Sequence, residues 1–198
     1  CIWSATVDLY VYGLVEFAPS GEAGIVLAEN SGKINAEGGV VQLSAAAAKD
    51  VVDQVVNMSG VINASSAEIV GGKIVLSAPN GKVKVSGSMN AGKNIDVRGK
   101  AITIDKGAEL IAGTETDSGE VLVIASDTLA FNGYINAVDG HTETSATRSV
   151  TVGPSAQVRG STWLIDPLSI TIDDVAGAGI IYNGVLEDAL NNNVDVTV

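Results

Sequence analysis

The chain has 198 residues, 17% of them charged, and a formal net charge of −12. An acidic balance of this size argues against nucleic acid or an anionic membrane surface as a partner, since both need basic patches. The single cysteine, Cys1, excludes an intrachain disulfide, and the single histidine, His141, leaves no His/Cys metal cluster.

Residues 1–18 are apolar with partial alternation at Val7, Leu9 and Val11, which predicts one or two strands. No basic segment leads into an apolar one, and no apolar run approaches the roughly 18 residues that span a bilayer. With no initiator Met and a strand-like final stretch, Val194 to Val198, the chain is expected to be an internal fragment of something longer. A turn at Pro19-Ser20-Gly21-Glu22 is followed by a short strand at Gly24-Ile25-Val26-Leu27.

The phrase Gly-x-Ile/Met-Asn-Ala then appears for the first time, at Gly32 to Ala36. It returns at Gly60 to Ala64, Gly87 to Ala91 and Gly133 to Ala137, with a degenerate copy at Gly107 to Ala112. The steps between the glycines are 28, 27, 20 and 26 residues, and such a period marks a stacked architecture. Ile or Met is expected to point inward. Asn35, Asn63, Asn90 and Asn136 are expected at the following bend as a buried ladder.

A second repeating strand supports the stack. Gly38-Gly39-Val40-Val41-Gln42-Leu43-Ser44-Ala45 has a near twin at Gly71 to Ala78 and a looser copy at Ser118 to Ala125. Between the first two lies the segment 45–56, AAAAKDVVDQVV. Its alanines and its apolar face at Ala47, Val51, Val52, Val55 and Val56 predict a short inserted helix.

From 80 to 112 the alternation is purest, with Val83, Val85, Ile95, Val97, Ile102 and Ile104 as the buried set. The polar tracts 114–118 and 139–148 are expected to project as loops and to offer the contact region. Ala101 to Gly107 aligns with Ser149 to Pro154, about two turns of the stack away. Trp163 reads as an aromatic plug more readily than as a ligand platform, and Asp166-Pro167 as a turn ending a coil. After Asp173 the pattern loosens into a strand at 180–182 and a helical turn at 183–190. The expectation is one all-β solenoid segment over 1–198, with regular coils over 23–173 and 174–198 less regular. About nine coils of roughly 22 residues make a rod of about 40 Å.

Three features resemble the filamentous-haemagglutinin-like exoproteins of Gram-negative two-partner secretion, the large adhesin and haemolysin family. They are the run Asn30 to Ala45, the Ala-rich segment leading into Val55-Val56-Asn57-Met58-Ser59-Gly60, and Trp163-Leu164-Ile165-Asp166-Pro167 before an Ile-Thr-Ile strand. The resemblance covers about residues 23–173. It implies a right-handed parallel β-helix, export through a partner β-barrel in the outer membrane, and adhesion to a host cell surface or carbohydrate. The family's amino-terminal secretion domain, with its Asn-Pro signatures, is not seen, so engagement of the transporter is expected through another part of the parent protein.

The reading is therefore a secreted or surface-held adhesive shaft segment, without catalysis, cofactor, metal, nucleic acid or membrane insertion. The alternatives are a β-helical carbohydrate-active enzyme, and the stalk of a haemolysin or haem-binding exoprotein. An enzyme needs clustered carboxylates. The candidates are Asp96 with Arg98, Asp105 with Lys106, and Asp173-Asp174, each also readable as a solvated strand face. Ser161 lacks a plausible histidine. No Arg-Gly-Asp occurs, because Arg98-Gly99 precedes Lys100 and Arg159-Gly160 precedes Ser161. Of the sequons at Asn57 and Asn63, Asn57 is the expected glycosylation site, since a buried ladder residue cannot carry a glycan.

Overall fold

The structure, a computed structural model, describes residues 9–10, 14–17, 28–36, 39–44, 56–64 and 72–198. The early strands are β1 (Leu9–Tyr10), β2 (Leu14–Phe17), β3 (Ala28–Asn30), β4 (Lys33–Asn35), β5 (Val40–Ser44), β6 (Val56–Met58) and β7 (Val61–Ala64). Then follow β8 (Lys73–Val85), β9 (Ser88–Ala91), β10 (Asn94–Ile104), β11 (Glu109–Ala112), β12 (Glu120–Phe131) and β13 (Tyr134–Ala137). The last are β14 (His141–Ala146), β15 (Ser149–Val152), β16 (Gln157–Arg159), β17 (Thr162–Pro167), β18 (Thr171–Asp173), β19 (Ile180–Tyr182), helix α1 (Asn183–Asn191) and β20 (Asp195–Thr197).

The described strands form two parallel sheets, and their pairing falls into three rows. Row one is the seven-stranded sheet β1-β4-β7-β9-β11-β13-β16. The thirteen-stranded sheet supplies the other two. Row two runs β2-β5-β8-β10-β12-β14-β17-β20, and row three runs β3-β6-β8-β10-β12-β15-β19-β18. The long strands β8, β10 and β12 pass through both rows, and their register shifts between Gly99 and Ala101. As far as β17 the chain visits the rows in the order one, two, three and then returns to row one, each strand pairing in parallel with its predecessor in the row; β18 and β19 then both lie in row three, with β19 between β15 and β18.

The register bears out the repeat phrase and corrects one copy. In row one, Lys33, Val61, Ser88, Glu109, Tyr134 and Gln157 stand side by side, so the steps are 28, 27, 21, 25 and 23 residues. The degenerate copy is thus shifted by one: Ala108, not Gly107, takes the place of the repeat glycine. Ile34, Ile62, Met89, Leu110, Ile135 and Val158 form one column, at most 2% exposed. Ala91, Ala112 and Ala137 form another, fully buried. Small residues fit here because the chain bends straight into row two.

The period-two alternation places the asparagines differently from the expectation. Asn35, Asn90 and Asn136 lie within strands, half-buried, on the opposite side from the inward Ile or Met. Asn35, Asn63 and Asn90 are consecutive in register, and Ile111 separates Asn90 from Asn136. Among the asparagines whose side chains are described, the buried one is Asn30, 1% exposed, in the column shared with Met58 and Val85. Its amide donates to Val61 O at 3.4 Å and contacts Met58 Sδ at 3.4 Å, while its Oδ1 has no partner.

Rows two and three carry the rest of the core. The first two twin strands pair directly, Val40 with Lys73, whereas Lys73 reaches Glu120 of the looser copy through Asn94 of β10, and Ala101 reaches Ser149 through Thr128, two steps on. In row two, Val41, Ile74, Ile95 and Val121 are fully buried and neighbours in one column, continued by Thr142 and Trp163. Full burial of such a Val or Ile contributes roughly 1.5–3 kcal/mol, so each repeat stabilises its neighbours through contact alone.

Two expectations change here, and others fall outside the described residues. Residues 141–146 are not a projecting loop but strand β14, between β12 and β17. Threonine suits a pleated strand as well as a loop, and Thr142 and Thr144 are fully buried. Asp166 and Pro167 end strand β17 and pair with Ser145 and Ala146, so they are not a turn. Of the predicted inserted helix, residues 45–55 lie outside the described residues, and Val56 belongs to β6. The strand expected at 24–27 also lies outside them. The tract 114–118 is a turn, with Thr114 N donating to Asp117 O at 2.9 Å.

Trp163 is fully buried. Its indole N–H donates to Thr144 Oγ1 at 2.9 Å, and its ring meets Phe131 edge-on at 6.3 Å. Thr142 and Thr144 stand beside Val121 and Val123, which have nearly the same shape, and what Thr144 adds is the hydroxyl that accepts the indole N–H. Beyond β19 the chain makes α1 instead of another row-one strand. Val185 and Ala189 face inward, and Asp188 Oδ2 meets Arg159 Nη1 of β16 at 2.7 Å. The helix therefore packs beside the edge of row one, one way of protecting unpaired strand groups.

Candidate functional site: a groove at the corner between rows three and one

The corners that lead from row three into row one are not alike. Four are two residues long: Ser31-Gly32, Ser59-Gly60, Ser86-Gly87 and Asn132-Gly133. Two are four residues long, Asp105 to Ala108 and Gly153 to Ala156. Each long corner is a β-turn closed by a hydrogen bond, Ala108 N to Asp105 O at 3.1 Å and Ala156 N to Gly153 O at 3.0 Å. Gly107, with φ +86°, takes the left-handed third position of its turn, and Pro154 the second position of the other.

The short corner Asn132-Gly133 lies between these two turns, so it forms a recess with a wall on either side. Gly133 is required by close approach: a methyl group there would come within 2.8 Å of Ala108 O and 2.9 Å of Ile104 Cγ2. Asn132 braces one wall, its Oδ1 accepting from Ser155 N at 3.0 Å. The result is an open hollow of about 570 Å³ lined by Lys106, Glu109, Tyr134, Ser155 and Gln157. A smaller hollow of about 200 Å³ continues around the corner, past Thr103, Asp105, Lys106, Asn132 and Thr151.

Register brings the polar groups together. Glu109, Tyr134 and Gln157 are direct neighbours on β11, β13 and β16. Tyr134 is half-buried, whereas Glu109 and Gln157 are exposed. Asp105 is neutralised by Lys84, its Oδ2 lying 3.1 Å from the ammonium. Lys106 has no ion-pair partner among the described residues. The hollow thus offers one aromatic ring, one amide, one carboxylate, two hydroxyls (Tyr134 and Ser155) and one cation.

The sequence-derived candidates are placed as follows. Asp96 and Arg98 share an outward face and pair at 2.8 Å. Asp105 pairs with Lys84 and not with Lys106. Asp173, the last residue of β18, and Asp174 after it are exposed, and the Val175 N–H donating to Asp173 Oδ1 at 3.1 Å, helped by Asp174, holds the Asp173 carboxyl below the usual range. His141 Nδ1 meets Thr162 Oγ1 at 2.8 Å on the outer face of row two. Asn57 is the middle residue of β6, opposite Glu29 and Lys84, but the side chains of Asn57 and Asn63 are not among those described. Among the described residues no three His, Cys, Asp or Glu side chains converge to hold a metal ion, and no helix is long and apolar enough to cross a membrane.

Tyr134 and Gln157 were not singled out from the sequence. The available signal was the x of Gly-x-Ile-Asn-Ala, which alternation turns outward. Only the register shows that this position carries Glu109, Tyr134 and Gln157 in adjacent strands. No family model, curated protein or solved structure matches the chain.

Proposed function

We propose that this chain is a shaft segment of a secreted bacterial surface adhesin, wound as a right-handed parallel β-helix and without catalytic activity. The observation that supports it best is the in-register parallel pairing of row one, in which the same inward position recurs at every return of the chain. Three rows visited in the same order as far as β17 are the pattern such a winding produces, and right-handed crossovers are the rule for parallel strands. Row two has eight strands, so seven steps of about 4.8 Å span about 34 Å. A longer chain of the same kind makes a filament that carries a binding surface away from the cell, and each repeat templates the next. Export runs through a partner β-barrel engaged by another part of the parent protein, and the target is a host cell surface or its carbohydrate. The pairing of Asp96 with Arg98 and of Asp105 with Lys84 favours shaft over enzyme, because it spends those carboxylates on ion pairs.

The test is saturable binding of the labelled chain to erythrocytes and epithelial cells, run beside an unrelated β-helical control. Binding above the control, with no depolymerisation of added polysaccharides, is the expected result. Polysaccharide cleavage overturns the non-catalytic reading, and binding no better than the control overturns adhesion by this segment.

A further inference from the structure

We infer that the corner groove around Tyr134 is a binding site for a neutral pyranose of a glycan chain. This deepens the adhesive reading and rests on it for the biological setting, although the groove chemistry stands by itself.

A pyranose presents an apolar face of C–H groups and a rim of hydroxyls. The groove presents the matching pair. Tyr134 supplies a half-buried aromatic ring on the central strand of the site. Glu109 and Gln157 flank it in register on the two adjacent strands, giving acceptors and an amide donor for hydroxyls on either side. Ser155 and Lys106 reach in from the two turns that form the walls. The volume of about 570 Å³ falls within the range of small-ligand sites. The hollow around the corner, sharing Lys106, gives a path along which a linear glycan continues.

Other ligand classes fit less well. A polyanion meets Glu109 in the groove and a chain of net charge −12, with Lys106 as the single cation lining it. A protein partner needs a desolvated apolar anchor pocket, and this hollow is wide open to solvent. The walls depend on the length of the two turns. Repeats whose corners are two residues long lack such walls, which confines the site to this level of the stack.

The experiment is an array of neutral hexose oligosaccharides with their sialylated and sulfated counterparts, probed with the intact chain, followed by calorimetric titration of the best binder. Tyr134→Ala is expected to weaken binding at least about tenfold, a difference of about 1.4 kcal/mol. Tyr134→Phe keeps the ring and is expected to hold binding within about threefold, which separates a lost platform from a lost fold; thermal melts of both variants check the latter. Gln157→Ala is expected to weaken binding without altering the melt. Neutral glycan binding that Tyr134→Ala leaves intact overturns the site, as does binding confined to acidic glycans or no binding at all. Cell binding by the same variants keeps the two claims apart. If Tyr134→Ala leaves neutral-glycan binding intact while the chain still binds cells, the groove assignment fails and the adhesive reading survives. If the chain binds neutral glycans through Tyr134 but not cells, the groove stands and the adhesive reading fails.

Discussion

The bond between Trp163 and Thr144 offers a direct measure of how one level of the stack holds the next. Both groups are fully buried, and the indole N–H donates to the hydroxyl at 2.9 Å between β17 and β14. Trp163→Phe removes the donor and leaves the Thr144 hydroxyl short of a partner, at about 1–2 kcal/mol. It adds about 1 kcal/mol for the space left and the altered edge contact with Phe131. Thr144→Val keeps the shape but strands a buried indole N–H, which costs about 1–3 kcal/mol. In the double variant neither group is left unpaired, so its loss falls short of the sum of the singles by about 1–2 kcal/mol. A denaturation midpoint for a chain of many parallel-paired strands blends local openings. The assay is therefore native-state hydrogen exchange at the amides of β14 and β17, which reads local opening. Strict additivity of the two substitutions would refute the inference that this bond couples the levels.

Three further outcomes are expected. Gly140→Ala places a methyl group against the Gly119 carbonyl oxygen and within 2.8 Å of Gly119 N; it should destabilise by about 1–3 kcal/mol, seen as a lower melting temperature, and an unchanged melt would contradict the close approach. Arg159→Ala breaks the 2.7 Å pair with Asp188, whose side chains are 27% and 39% exposed, so α1 amides should exchange faster by a factor matching about 1 kcal/mol or less, with row-two amides unaffected. The Asp173 carboxyl, held by the Val175 N–H and then by Asp174, should titrate below 3.8 when followed by NMR. Because its folded value is the lower one, its contribution to stability is present above 3.8 and disappears as pH falls through the folded value; titration at or above 3.8 would show that these groups do not hold the carboxylate.

What the sequence carries well is anything set by period two along one strand. Ile74, Leu76, Val83 and Val85 alternate with Lys73, Lys82 and Lys84, and each falls on the side the alternation names. The same rule, applied consistently, turns Asn90 outward beside Met89. The asparagines were misplaced because a residue common in bends was allowed to outweigh its strand position. Strand β14 was missed because its polar threonines mimic a loop, and their burial depends on the Trp163 indole, which lies on a different strand.

The sequence by itself determined that the chain repeats and, within the strands of clean alternation such as β8, which residues face the core, since these depend on local alternation and on self-similarity. Tertiary structure alone decided what stands beside what. The corner Asn132-Gly133 is a recess only because four-residue turns flank it one level up and one level down. Tyr134 has Glu109 and Gln157 as neighbours only because parallel pairing sets residues 25 and 23 positions apart side by side. Those separations vary from repeat to repeat, so no fixed spacing in the sequence announces the groove; the hydrogen-bonded register creates it.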